Sequence, residues 1–334
     1  MHVRKRFTLR NISLLSAVAI LAMAAFSAPA MAGDPDFKGW YGNLDLALTQ
    51  PNSLDQHFAN HVDFSGSQTT DERLVIDNDD DLTWRLDVGY SWGKKGRLQV
   101  SYWQFDNDDS QEDSLNGGVY PTIFGYGTNG GMYIYNSAGV DFEASSSVKA
   151  TTWDVDYIRP MSAGDKFHVD WLAGLRVADY EETQDFAGTD GTYDYLQGKH
   201  IDASSWGFRF GATAVFDFTK MFSMEAGAAF SFLQGETDGD SFQKFVGSST
   251  ETNEASDNHI RGQINDYNIK AVWDVGPVDV YAGYSMSDWS GIVTDPVPGN
   301  EGGHFAAGPI RSRGRDNISF NSWDVGVRWQ FGGK

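Results

Sequence analysis

The stretch Lys166 to Val177, KFHVDWLAGLRV, sets the strongest constraint on how this chain folds. Phe167, Val169, Trp171, Ala173, Leu175 and Val177 alternate with Lys166, His168, Asp170, Gly174 and Arg176. An extended strand with this pattern is apolar and aromatic on one face and charged or small on the other. The pattern recurs along the chain. Trp40, Leu44, Leu46 and Leu48 alternate with Tyr41, Asn43, Asp45 and Thr49, and Trp84, Leu86, Val88, Tyr90 and Trp92 alternate with Arg85, Asp87 and Ser91. SWGFRFGATAVFDF, FSMEAGAAFSF and the closing NSWDVGVRWQF repeat it. Each run is about ten to twelve residues long, the length a tilted strand needs to cross hydrocarbon, whereas strands of soluble proteins average five or six.

The second face decides between a water-soluble sandwich and a membrane barrel. A sandwich keeps its large aromatics in the core and turns Lys, Glu and Thr to water. Here the polar face carries Gly, Ser and Asp punctuated by Arg, which suits a crowded lumen, while the aromatics cluster near the ends of the apolar face, where rings sit at headgroup level. Trp323, Trp329 and Phe331 are therefore expected to face lipid, and Asp324 and Arg328 to face a lumen.

The links between these runs alternate in length. GKKG (93–96), PMSAGDK (160–166), TKM (219–221) and DVGP (274–277) are short, whereas the links at about 51–80, 106–146, 180–202, 235–261 and 289–315 are long and polar. That alternation predicts an all-β, transmembrane antiparallel up-and-down β-barrel with short periplasmic turns and long external loops. Ten strands are expected, at about 37–50, 81–92, 97–106, 147–159, 166–180, 203–218, 222–234, 263–274, 278–288 and 316–331. The segment Gly117 to Ser137, with strand-forming residues around glycine turns, leaves twelve strands open, or a loop folded into the lumen.

Arg4, Lys5, Arg6 and Arg10 precede an apolar run ending in Ala30-Met31-Ala32, which is the layout of a cleaved signal peptide. Residues 1–32 are expected to be removed and 33–334 to form one barrel domain. Removal leaves 21 basic against 46 acidic residues, a net charge of −25. That balance argues against nucleic acid as a partner. Cysteine is absent from a chain read as exported, so no disulfide supports the fold.

With GWYGNLDLAL, DWLAGLRVADYEETQ, SSWGFRFGATAVFDFTKMFSMEAGAAFSFLQG and SWDVGVRWQF in view, the chain resembles Gram-negative outer-membrane β-barrels. Its AGLR and WGFRFG strands are similar to the pore-forming family typified by the Legionella major outer membrane protein. The resemblance implies an outer-membrane location, insertion by the barrel assembly machinery, contact with outer-membrane lipid and lipopolysaccharide, and passage of small solutes or ions.

Period-2 parity places Arg85, Asp87, Asp154, Asp156, Asp170, Arg176, Arg209, Glu225, Lys270, Asp274, Asp324 and Arg328 on the lumen face, with Asp45. Acidic groups outnumber basic ones there, so an open pore is expected to tolerate cations. A barrel of ten to twelve strands is narrow. The competing reading is that these charges pair across the lumen and only rigidify it. The loops offer a second reading, a non-conducting surface barrel acting in adhesion or envelope structure. Asp77, Asp79 and Asp81 could collect divalent cations that bridge lipopolysaccharide phosphates, and Arg311, Arg313 and Arg315 could meet those phosphates directly.

Neither a cofactor nor a dedicated metal site is indicated. DNDDDLTW places Leu82 where a calcium loop needs glycine and Val88 where it needs glutamate. An enzyme is not expected. Asp257-Asn258-His259 has the Asp-x-His spacing used by omptin proteases, but the sequence around it does not resemble theirs, and His168 with Asp170 is read as lumen packing.

Overall fold

The computed structural model describes residues 37–52, 56–63, 70–76, 80–121, 134–162, 166–192, 194–245, 251–276, 278–294 and 315–331. The segment read as a signal peptide lies outside them. The strands are β1 (Lys38–Asn52), β2 (Gln56–Asp63), β3 (Thr70–Ile76), β4 (Asp81–Trp92), β5 (Arg97–Pro121), β6 (Ile134–Ser162), β7 (Phe167–Thr189), β8 (Asp194–Asp217), β9 (Phe222–Phe245), β10 (Glu251–Asp274), β11 (Val278–Thr294) and β12 (Arg315–Phe331). Ten of them, β1 and β4 to β12, run antiparallel in order and close where β1 pairs with both β4 and β12 and β5 pairs with β6. The result is a closed ten-stranded up-and-down barrel.

Its outer belt follows from the alternation. Trp323 is 71% exposed and Phe208 69%, values no water-facing protein surface of this size would favour for so many rings. Two girdles bound the belt. Toward the long-loop end lie Trp84, Tyr102, Trp153, Trp206, Tyr284 and Trp323, with ring contacts such as Tyr102–Trp153 at 4.5 Å and Tyr284–Trp323 at 5.2 Å. Toward the short turns lie Trp40, Tyr90, Tyr157, Trp171, Phe222 and Trp273, with Tyr157–Trp171 at 5.8 Å and Phe222–Trp273 at 5.4 Å. From Trp206 to Phe216 the strand climbs ten residues. At about 3.3 Å per residue and a tilt near 40°, that is roughly 25 Å, the height of a barrel's apolar band.

Two expectations are corrected. The strands do not stop at the upper girdle. The segments read as loops at 106–146, 180–202 and 235–261 largely continue the ladders, so that β5 to β10 hold 23 to 29 residues each. They form a tower above the belt. The link at 51–80 is not a plain loop either, because β2 and β3 pair with each other and β2 pairs with Gly118–Pro121 of β5. The described parts of Gly117–Ser137, by contrast, add no strands to the barrel wall, since Gly117 to Val119 extend β5 against Ile134 to Asn136 of β6, and residues 122–133 lie outside the described residues. The short turns described in full, at 93–96 and 218–221, are tight as expected. Gly96, at φ +114°, stands where an added Cβ would come 2.7 Å from the Tyr157 hydroxyl, so only glycine fits both the backbone and the space.

Candidate functional site

All of the lumen residues expected from parity line or border one interior, and the strand register brings them into five ionic groups. Arg176 on β7 is 2% exposed and makes a bidentate pair with Asp154 on β6, at 2.6 and 2.7 Å. Arg176 also reaches across the lumen to Asp266 on β10, at 2.8 Å. Arg209 on β8 joins the same group, touching Asp154 at 3.1 Å, Asp156, and Asp266 at 3.2 Å. Arg85 Nε donates to Asp87 at 2.9 Å, and Asn43 donates to the other Asp87 oxygen at 2.9 Å. Glu225 on β9 takes both terminal nitrogens of Arg328 on β12, at 2.9 and 3.0 Å. Arg97 pairs with Asp170 at 2.9 Å. Lys270 lies 3.2 Å from Asp45 and 3.5 Å from Asp324.

Asp274 sits lowest, where its Oδ1 accepts the Gly276 N–H at 2.8 Å and shapes the turn at the mouth. Charge pairing, the competing reading for these residues, thus accounts for much of the network. It does not account for all of it. Counting Asp266, Asp279 and Arg97, which parity also places inward, the lumen face holds nine carboxylates above the turn against six cations. Those three additions were legible: Leu98, Tyr267 and Val280 face outward, so their neighbours face in.

A cavity of about 360 Å³ runs through this ionic region from the short-turn mouth, where Phe37, Gly96 and Lys220 border it, to Trp103 and Phe320. There an apolar septum begins. Phe105, Val148, Tyr180, Ile201, Leu233, Ile264, Trp289 and Phe320, each at most 4% exposed and each from a different strand of β5 to β12, fill the interior. Trp103 lies 5.3 Å from Phe320 and 6.3 Å from Trp289, and Phe105 lies 5.1 Å from Phe320. Higher still, Glu182 accepts from Tyr180 at 2.8 Å and Gln184 at 3.0 Å and pairs with Lys199 at 3.1 Å. At the top, Phe58 of β2 and Leu74 and Ile76 of β3 pack onto Phe142, Phe186 and Tyr195. The β2–β3 pair therefore enters the mouth, a place that the sequence leaves open for residues 117–137 as one alternative.

The loop candidates fare differently. Asp77, Asp79, Arg311 and Arg313 lie outside the described residues, and Arg315 is described only as the first residue of β12. Asp81 heads β4 and accepts its own neighbour's N–H from Leu82, at 2.6 Å. Burial holds its carboxyl above the ordinary aspartate value, opposed by that bond and reinforced by the Asp106 carboxylate. His259 is exposed while Ile260 beside it enters the septum. The Asp-x-His spacing therefore turns its histidine away from the lumen. On the outer wall of the tower Glu181, His200 and Asp202 bring their polar atoms within 4.8 Å of one another, with His200 hydrogen-bonded to Thr183 at 3.0 Å and to Asp202 at 2.8 Å.

No family model and no curated protein sequence matches the chain. Among solved structures it is similar to the outer membrane protease OmpT of Escherichia coli, with 10% identity over 88% of this chain and 97% of that one, at a TM-score of 0.48. It is similar to the toluene transporter TodX of P. putida at 11% identity, over 93% and 94% of the two chains, with a TM-score of 0.36. Ail, the attachment invasion locus protein of Yersinia pestis, is matched at 8% identity over 88% and 99%, with a TM-score of 0.25. A protease, a transporter and an attachment protein share little beyond an outer-membrane barrel, and at these scores no activity passes from any of them to this chain.

Proposed function

We propose that this chain is a narrow outer-membrane pore that is shut at rest by its septum and prefers small cations when open. The observation that carries the reading is the cavity. A lumen serving only as a filled strut would be packed by side chains, as in eight-stranded barrels. Here ten strands leave about 360 Å³ at the level of the lipid belt, lined by a surplus of carboxylates and ended by rings. An aromatic constriction excludes water and ions until it moves.

The test is single-channel conductance in a planar bilayer, with the reversal potential under a salt gradient. The native chain is expected to give rare, brief steps. Trp103→Ala with Phe320→Ala, which removes the two rings at the top of the cavity, is expected to give long-lived, cation-preferring steps. A folded, heat-resistant double variant that stays silent would sink the pore.

A second reading is favoured by the tower. From Val177 to Thr189, β7 rises twelve residues past the belt, roughly 30 Å at the same rise and tilt. Its outer wall carries Asp179, Glu181 and Asp185, and β8 and β9 add Asp202, Glu236 and Asp238. A wall this acidic beside lipopolysaccharide phosphates suits attachment through divalent cations, as adhesion or envelope structure would require.

A further inference from the structure

We propose that the cavity seats a hard cation, alkali or alkaline-earth, against the Asp324 carboxylate; this deepens the cation-preferring reading but does not require the septum to open. The lumen faces of β9 to β12 and β1 hold Glu225, Asp279, Asp324 and Asp45 against Lys270 and Arg328. Arg328 spends both terminal nitrogens on Glu225. Lys270 leans on Asp45, at 3.2 and 3.5 Å, and rests 4.3 Å from the centre of the Tyr281 ring. Asp45 also receives the Tyr281 hydroxyl and the Asn43 amide, the latter at 3.2 Å.

Asp324 is left as the poor relation. It is 4% exposed, and its neighbours are the Lys270 ammonium at 3.5 Å, which it shares with Asp45, and the Ser285 hydroxyl, neither of them in a well-formed hydrogen bond. A buried carboxylate in that state is strongly penalised unless a charge answers it.

No side chain stands between Asp324 and Lys270. Gly283 pairs with both across its two ladders, and a Cβ there would come 2.5 Å from the Ile269 carbonyl oxygen, 2.8 Å from Lys270 Cγ and 3.2 Å from Asp324 Oδ2. One lumen step higher, Ser285 and Ser322 pair and border the same cavity. The donor set is therefore carboxylate and hydroxyl oxygen, with no imidazole or thiolate, which selects hard cations over soft ones.

The experiment is thermal unfolding of the refolded full chain in detergent at fixed alkaline pH, in CaCl2 or NaCl against choline chloride at equal ionic strength. Ligands that bind only the folded state raise its melting temperature saturably. A saturable rise with calcium or sodium and none with choline is expected. Asp324→Asn is expected to abolish it, and Ser285→Ala, which removes a hydroxyl oxygen of the seat while leaving every charge in place, to weaken it several-fold. Equal melting in choline overturns the seat. So does a full cation shift in Asp324→Asn, which would place binding on the outer wall. If Asp324→Asn fails to refold, a full shift in Ser285→Ala overturns it. Stabilisation by acid with no cation dependence also overturns it, by assigning Asp324 a proton. A silent bilayer recording with an intact cation shift would remove the pore and keep the seat, and the reverse pair of results would do the opposite.

Discussion

The lower and upper halves of the same strands have opposite polarity. Below the upper girdle, β7 turns Leu175 and Val177 outward and Arg176 inward; above it, Asp179 and Glu181 face out while Ala178 and Tyr180 are buried inside. β8 inverts at the same height, with Phe208 out and Arg209 in below, and Asp202 out and Ile201 in above. The ladders β6–β7 and β7–β8 run through this level without a register shift. No bulge produces the inversion, so it lies in the side chains alone. The outside medium sets the sign. Where lipid lies outside, apolar groups gain nothing by turning in, and the lumen is left to charges. Where water lies outside, burial of apolar surface again stabilises, and the barrel acquires an ordinary core.

The inversion is sharpest on β10, where Ile264 is buried in the septum and Asp266, the next lumen residue, answers both Arg176 and Arg209. Asp266→Ile would extend the septum one step down. The largest loss is expected here, about 3–5 kcal/mol, because two buried guanidinium groups lose a partner. Adding Arg209→Met should cost less than the two single changes together. Denaturant titration of folding into lipid vesicles measures both. A neutral Asp266→Ile would mean that the two halves do not differ in what they require.

The same inversion explains what the sequence disclosed. Period 2 combined with aromatic ends makes the belt, the ten strands and the lumen charges at belt level legible, because membrane-level strands keep one phase for their whole length. Above Val177, Trp206 and Phe232 the alternation continues one residue out of phase, with polar Asp179, Ser204 and Gln234 on the formerly apolar face. Read with a fixed phase, such a segment looks like a polar loop, which is why the sequence predicts loops at 180–202 and 235–261. The septum was hidden by the same error: Phe105, Tyr180 and Ile201 appear as stray apolar residues until the phase is allowed to change. The ion pairs joining β7 to β10 and β9 to β12 were not legible at all. Parity gives a residue's face but not its partner across a lumen.

Two arginines on one face of β8 test the role of the outside medium directly. Phe210 lies in the belt and is 49% exposed; Ser204, six residues up and on the same face, is exposed above the girdle. Phe210→Arg is expected to cost about 2–4 kcal/mol, the penalty for arginine near the bilayer midplane, and Ser204→Arg about 0–1 kcal/mol, as at an interface. Both are read by the same vesicle titration. The pair carries more than either value, because strand, neighbours and side chain are held nearly constant and only the medium changes. In detergent micelles, which deform around a charge, the gap should narrow. In vesicles of longer acyl chain it should hold for Phe210, and Ser204 should begin to lose stability as the apolar band reaches up to it. If Ser204→Arg already costs as much as Phe210→Arg, the belt extends above Trp206, the tower is shorter than its strands suggest, and the inverted interior begins within lipid.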